Sequence, residues 1–125
     1  MILHHYPTSP FAEKIRLIFG YKNIAWQGVH IPMVMPKPDL IPLTGGYRKT
    51  PVLQIGADIY CDTALICDVL EHISPTPSLY NNVPKGLVRS LAQWADTLLF
   101  PVAMAYNFQP KGAQHVMAGM PEDLV

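Results

Sequence analysis

The sequence predicts an α/β domain over residues 1–78, in the order strand, helix, strand, loop, strand, strand, helix, followed by one or two helices of a second, all-α domain. Three observations carry this. Short apolar runs of strand length alternate with segments whose apolar residues recur at helical spacing. The 13 prolines, about twice the usual ~5% share, gather at 32–51 and 75–84 and so mark a loop and a linker rather than regular elements. Half of the residues are hydrophobic and only 14% are charged, enough apolar surface for a real core.

Residues 2–6 are apolar-rich and stop at Pro7, which reads as a strand. Ser9 then has the chemistry of an N-cap and Pro10 that of a first helical residue, where a missing N–H costs nothing. Phe11, Ile15, Ile18 and Phe19 form one buried stripe, Glu13, Lys14 and Arg16 are expected to face water, and Gly20 is a plausible stop. Trp26, Val29 and Ile31 place a second strand at 25–31. The four prolines and the Gly45-Gly46 pair of 32–47 exclude a long helix there. Residues 51–55 and 59–61 are strands around a turn at Gly56-Ala57-Asp58. Asp62 or Thr63 caps a helix over 63–73, with Leu65, Ile66, Val69, Leu70 and Ile73 as its apolar face.

Residues 79–84 close the linker, and 85–125 begin the second domain. Leu87, Val88, Leu91, Trp94, Ala95, Leu98, Leu99 and Val102 repeat at helical spacing, with a kink expected at Pro101 and a looser chain around Gly112 and Gly119. Pro121-Glu122-Asp123-Leu124-Val125 has the pattern of a helix opening, which suggests that the chain continues.

Several function classes are disfavoured by composition. The formal net charge is zero, and no basic run exceeds Arg48-Lys49, so the field that nucleic-acid binding needs is missing. The N-terminus turns polar at His4-His5, too early for a secretory signal, and no stretch reaches the ~18 apolar residues of a membrane span. With only Cys61 and Cys67, a disulfide framework is not expected and a reduced, cytoplasmic setting is. His4, His5, His30, His72 and His115 show no metal-ligand spacing, and His4 and His5 lie on opposite faces of a strand, so no metal is expected.

Three segments, in order, carry a resemblance: Tyr6-Pro7-Thr8-Ser9-Pro10-Phe11-Ala12-Glu13-Lys14-Ile15-Arg16, Lys49-Thr50-Pro51-Val52-Leu53, and Tyr60-Cys61-Asp62-Thr63-Ala64-Leu65-Ile66. Each is weak alone, but the ordered triplet resembles the N-terminal domain of glutathione S-transferases. The first is similar to the omega and tau classes, which carry Cys or Ser before Pro-Phe. The second is similar to the family's Lys-Val-Pro-Val-Leu stretch and the third to its Glu-Ser pair. Residues 85–108 resemble the family's first C-terminal helix. The resemblance implies a thioredoxin-like fold, glutathione as co-substrate, an electrophilic small molecule as second substrate, and a homodimer.

It also implies roles. Ser9 would hold the glutathione sulfur as thiolate while also serving as a plain cap, and Tyr6 is the rival donor, with Thr8 behind both. Pro51 would be cis, turning the backbone of Thr50 toward the cysteinyl unit of glutathione. Lys49 is either a partner of the glycyl carboxylate or a solvated loop lysine. Asp62 and Thr63 would meet the γ-glutamyl end, or else only cap a helix. Phe11 would either contact the bound glutathione or belong to the core. Positions 9 and 12 are Ser and Ala, so dithiol exchange is disfavoured, and Cys61 is either a reactive thiol beside the site or a small buried hydrophobe.

This sequence departs from the family at the Pro-rich stretch ending Thr44-Gly45-Gly46-Tyr47-Arg48, where a helix is usual, and at Asp62-Thr63 in place of Glu-Ser. Three functions stay open: a glutathione transferase, whose truncated chain alone can be inactive; a non-catalytic glutathione-binding or protein-interaction module; and a glutathione-dependent reductase using Cys61.

Overall fold

A computed structural model of the chain describes residues 1–118. The chain divides into two compact units, one spanning Met1–Asn81 and the other starting at Asn82. The first contains β1 (Ile2–His5), α1 (Pro10–Tyr21), β2 (Gln27–His30), α2 (Ile41–Thr44), β3 (Val52–Ile55), β4 (Asp58–Cys61) and α3 (Thr63–Ile73). Its sheet has the order β2-β1-β3-β4, with β1 parallel to β2 and antiparallel to β3, and β3 antiparallel to β4.

Strand alternation assigns the two faces. Leu3 pairs with Leu53, and both point into a core with Ile15 and Phe19 of α1 and Ile66 and Leu70 of α3. Val52, on the opposite face, packs with Ile31, which directly follows β2, and with Leu40 from the Pro-rich segment, with Tyr6, Tyr47, Ile59 and Cys61 around them. That segment forms only the single turn α2, closed by Gly45 at φ 65° and Gly46 at φ 109°, a backbone that side chains with a Cβ rarely adopt. β2 is exposed along its whole length as an edge strand.

Several expectations need correction. Leu65 and Ile73 are 47% and 49% exposed, because α3 turns Thr63, Ile66 and Leu70 inward and a helical period alone does not say how wide a stripe is covered. Lys14 and Arg16 do not simply face water: Lys14 reaches Thr63 on α3 and Arg16 reaches His5 and Pro7.

One buried charge ties the first unit together. Lys22, 4% exposed, follows α1 and donates Nζ–H to the carbonyls of Ser74 (2.5 Å) and Pro77 (2.7 Å) while pairing with Glu71 at 2.7 Å. Glu71 also accepts from Ser78 Oγ and the Leu79 N–H. Burial works to push the Glu71 carboxyl up, but those hydrogen bonds and the Lys22 charge outweigh it and hold the group below its ordinary value. A depressed carboxyl contributes stability that is complete above the unfolded value, ~4.3, and lost as pH falls through the folded one. The urea midpoint is therefore expected to drop as pH is lowered from about 5 toward 3. Glu71→Gln should reduce that slope.

The second unit contains α4 (Lys85–Trp94), a π-helical segment (Ala95–Leu99), α5 (Phe100–Asn107) and α6 (Pro110–Val116). The irregularity expected at Pro101 takes the form of this π turn, in which the Phe100 N–H bonds the Ala95 carbonyl. Pro101 has no N–H to return to residue 97, so the preceding turn is where the register can change. The looser chain expected around Gly112 is instead α6, and Gly112 sits so close to the Asn107 carbonyl that a Cβ would overlap it. The helix-opening pattern at 121–125 and Gly119 lie outside the described residues.

Candidate functional site

Strand register gathers the singled-out residues. His5 pairs with His30, His4 with Val52, and Val52 with Cys61. The C-terminal ends of β1, β2 and β4 and the start of β3 therefore lie at one end of the sheet. Both long helices of the unit begin there, so Ser9, the Thr50–Pro51 bond and Asp62-Thr63 share that end. Each helix start carries first-turn N–H groups without helical partners, which favour an anion.

At the first helix start, Ser9 is 2% exposed with an extended backbone at φ −73° and ψ 117°. Its Oγ accepts the Ala12 N–H at 3.2 Å, its carbonyl accepts the Glu13 N–H at 2.9 Å, and its own N–H bonds the Tyr6 carbonyl at 3.2 Å. The Oγ bond is an accepted one, so the hydroxyl proton is left to donate. Tyr6 is half-buried against the Val52 cluster, with the Lys37 ammonium 5.8 Å from its ring centre. Phe11 is half-buried, and the Lys14 ammonium lies 5.0 Å from its ring centre.

The second helix start repeats the arrangement. Asp62 holds φ 75° and caps α3 through Oδ1, which accepts the Ala64 N–H at 2.7 Å. Thr63, 8% exposed, accepts Lys14 Nζ–H at 3.2 Å on Oγ1, which again leaves the hydroxyl proton free to donate. Tyr47 reaches this corner. Burial pushes its phenol up, the Asp62 and Cys61 charges add to that, and a hydrogen bond from the Asp62 N–H opposes it.

Between the two helix starts, the Thr50–Pro51 peptide is cis, as are Met35–Pro36 and Thr76–Pro77. The cation beside Thr50 is Lys37, which composition had not singled out. It is 5% exposed, and its Nζ donates to Thr50 Oγ1 (3.2 Å) and the Arg48 carbonyl (3.0 Å). Burial pushes its ammonium down and the Arg48 charge adds to this. A lysine between Pro36 and Pro38 reads as a solvated loop residue, and only the folded loop buries it. Lys49 is exposed.

Burial pushes the Cys61 thiol up, away from the thiolate that redox chemistry requires. Among the described residues no group of three or more His, Cys, Asp or Glu is placed to hold a metal ion. No described helix is long and apolar enough to cross a membrane.

Residues 3–78 match the profile of the glutathione S-transferase N-terminal domain. The chain belongs to the glutathione S-transferase family. A GST-like protein from Pseudomonas syringae is 59% identical, with a TM-score of 0.79 over 88% of this chain and 40% of its own. A glutathione S-transferase from Rhodospirillum rubrum F11 is 28% identical, with a TM-score of 0.66 over 77% of this chain and 44% of that one. A glutathione transferase homologue from Sulfitobacter, solved with bound glutathione, shares the fold at 19% identity, with a TM-score of 0.70 over 97% and 63% of the two chains. No curated protein matches. The chain thus spans 40% to 63% of the lengths of these three proteins. As a glutathione S-transferase N-terminal domain it has the family's thioredoxin-like fold, a four-stranded mixed sheet with helices. The segment between β2 and β3 holds only the single turn α2, and Lys37 fastens it to Thr50.

Proposed function

We propose that residues 1–78 form the glutathione-binding domain of a glutathione transferase, that 79–84 link it to a helical domain beginning at 85, and that the whole protein uses bound glutathione thiolate against an electrophilic small molecule. The observation that carries this reading is the buried Ser9 hydroxyl. It accepts the Ala12 N–H, keeps its proton, and shares a sheet end with Thr50 and the start of α3. The bound glutathione of the Sulfitobacter homologue supports the choice of ligand.

In this reading the γ-glutamyl carboxylate takes the first-turn N–H groups of α3 and the Thr63 hydroxyl, and Asp62 faces the ligand ammonium. The Thr50 main chain pairs with the cysteinyl unit as an added strand would. Lys37 holds Thr50 in place, and Lys49 is a solvated neighbour. Ser9 donates to sulfur, and Tyr6 remains the rival donor.

The magnitudes close. A free thiol ionises near ~8.5, and each unit of lowering needs about 1.4 kcal/mol of preference for thiolate. A charge-assisted hydrogen bond supplies ~1.5–3 kcal/mol and the start of a helix ~0.3–1 kcal/mol. Together they reach the roughly 3 kcal/mol that places the thiolate below neutrality. The thiolate then attacks the electrophile, in a conjugation, dehalogenation or isomerisation. Cys61 and Cys67 are not joined in a disulfide, which suits the reducing, cytoplasmic setting included in this proposal, as is a homodimer.

Calorimetric titration of the protein with glutathione tests the reading. Saturable binding is expected, accompanied by thiolate absorbance at neutral pH. Binding with no thiolate signal would favour a non-catalytic module, and no heat at millimolar glutathione would remove both.

A further inference from the structure

Arg16 sits on the second turn of α1, and its guanidinium is occupied on every side. Nε bonds Glu13 Oε2 at 2.7 Å, Nη1 meets His5 Nδ1 at 2.9 Å, and Nη2 donates to the Pro7 carbonyl at 2.9 Å. A guanidinium has donors only, so His5 Nδ1 must be accepting. His5 is therefore neutral there, with its proton on Nε2. Burial, then the Arg16 charge, then His30 push the imidazole down from its ordinary value, consistent with that state.

The His5 ring is fixed in its turn. It is 5% exposed, meets Trp26 edge-on at 5.6 Å and His30 edge-on at 5.2 Å, and lies so near β2 that a Cβ on Gly28 would be 2.8 Å from Nε2. Arg16 thus reaches from a rigid ring and its own helix to Pro7. Pro7 lies in the middle of the turn from Tyr6 to Ser9, whose one backbone bond, Ser9 N–H to the Tyr6 carbonyl, is 3.2 Å long.

We propose that Arg16, buttressed by His5, is a positioning residue that fixes the Tyr6–Ser9 turn and so aims the Ser9 hydroxyl at the bound thiol. The inference rests on the reading that Ser9 activates glutathione. It does not give Arg16 any contact with the ligand.

Thiolate absorbance of protein-bound glutathione, followed against pH, tests it. Arg16→Met is expected to raise the bound-thiol pKa by about half a unit or more. His5→Leu, which removes the acceptor, should move it in the same direction. His5→Asn, whose Oδ1 falls near the Nδ1 position, should restore it. If Arg16→Met does not fold, Arg16→Lys replaces it in the series, since an ammonium keeps the charge but does not span Glu13, His5 and Pro7 together. Folded Arg16 and His5→Leu variants with lower melting temperatures and an unchanged thiol pKa would overturn the proposal and leave Arg16 a purely structural staple. A wild-type protein without any thiolate signal would overturn the Ser9 reading and this inference together.

Discussion

Ser9→Ala is expected to raise the pKa of bound glutathione by about 1–2 units, the equivalent of losing a charge-assisted hydrogen bond worth ~1.5–3 kcal/mol. At neutral pH that turns most of the bound ligand into unreactive thiol, so turnover at saturating substrate should fall with the thiolate fraction, by roughly two- to twentyfold. The substitution has a second effect, because Ser9 Oγ also takes the Ala12 N–H. Losing this cap costs ~1 kcal/mol of helix stability. Ser9→Gly separates the two effects, since glycine at an N-cap costs only a few tenths of a kcal/mol while also lacking the hydroxyl. Both variants should share the raised thiol pKa, and only Ser9→Ala should show the larger drop in melting temperature. Glutathione affinity at neutral pH should fall by no more than several-fold in either, because in the proposed site Thr50 and the start of α3 hold the rest of the tripeptide. Spectrophotometric titration of the thiolate, set beside thermal melts, checks both halves.

Lys22→Met should cost the first unit about 3 kcal/mol, the lower end of what breaking a buried ion pair costs. The lower end applies because the Glu71 side chain keeps 18% of its surface exposed while that of Lys22 keeps none. Three acceptors lose their donor at once: the Glu71 carboxylate and the carbonyls of Ser74 and Pro77. A loss of that size is a large share of the 5–15 kcal/mol that stabilises an ordinary domain. Urea unfolding should show a lower midpoint at unchanged slope. Adding Glu71→Leu should recover part of the loss by removing the orphaned charge. Recovery should stay incomplete, because Ser78 Oγ and the Leu79 N–H then lose their own acceptor. If Lys22→Met unfolds with a wild-type midpoint, the pair contributes nothing to the fold.

Much of the first unit was legible because its signals are local. Ser9 followed by Pro10 announces a helix start within two residues, and α1 begins at Pro10. The alternation of short apolar runs located all four strands, and Asp62 proved to be the cap of α3. What could not be read depends on partners far along the chain. Lys22 meets Glu71, Ser74 and Pro77, roughly fifty residues away, and Lys37 meets Thr50 across a proline-rich turn. In a sequence each of these is one more charge, and the base-rate reading of a charge is a solvated surface. The same holds for Arg16, which besides Glu13 on its own helix bonds His5 and Pro7 ahead of it. Leu65 and Ile73 show the opposite error: the apolar period is present, yet the helix is covered on a narrower stripe than the period suggests. Gly112 reads as a helix breaker, whereas its role is to let α6 approach the end of α5.

The most direct measurement is a glutathione titration followed through the backbone amide signals of the isotopically labelled protein. A tripeptide seated at this end of the sheet should shift Thr50, Thr63 and Ala64 most, with Ala12 moving as the Ser9 hydroxyl turns to sulfur. Shifts confined to other residues, or none at millimolar glutathione, would contradict the assignment of the site.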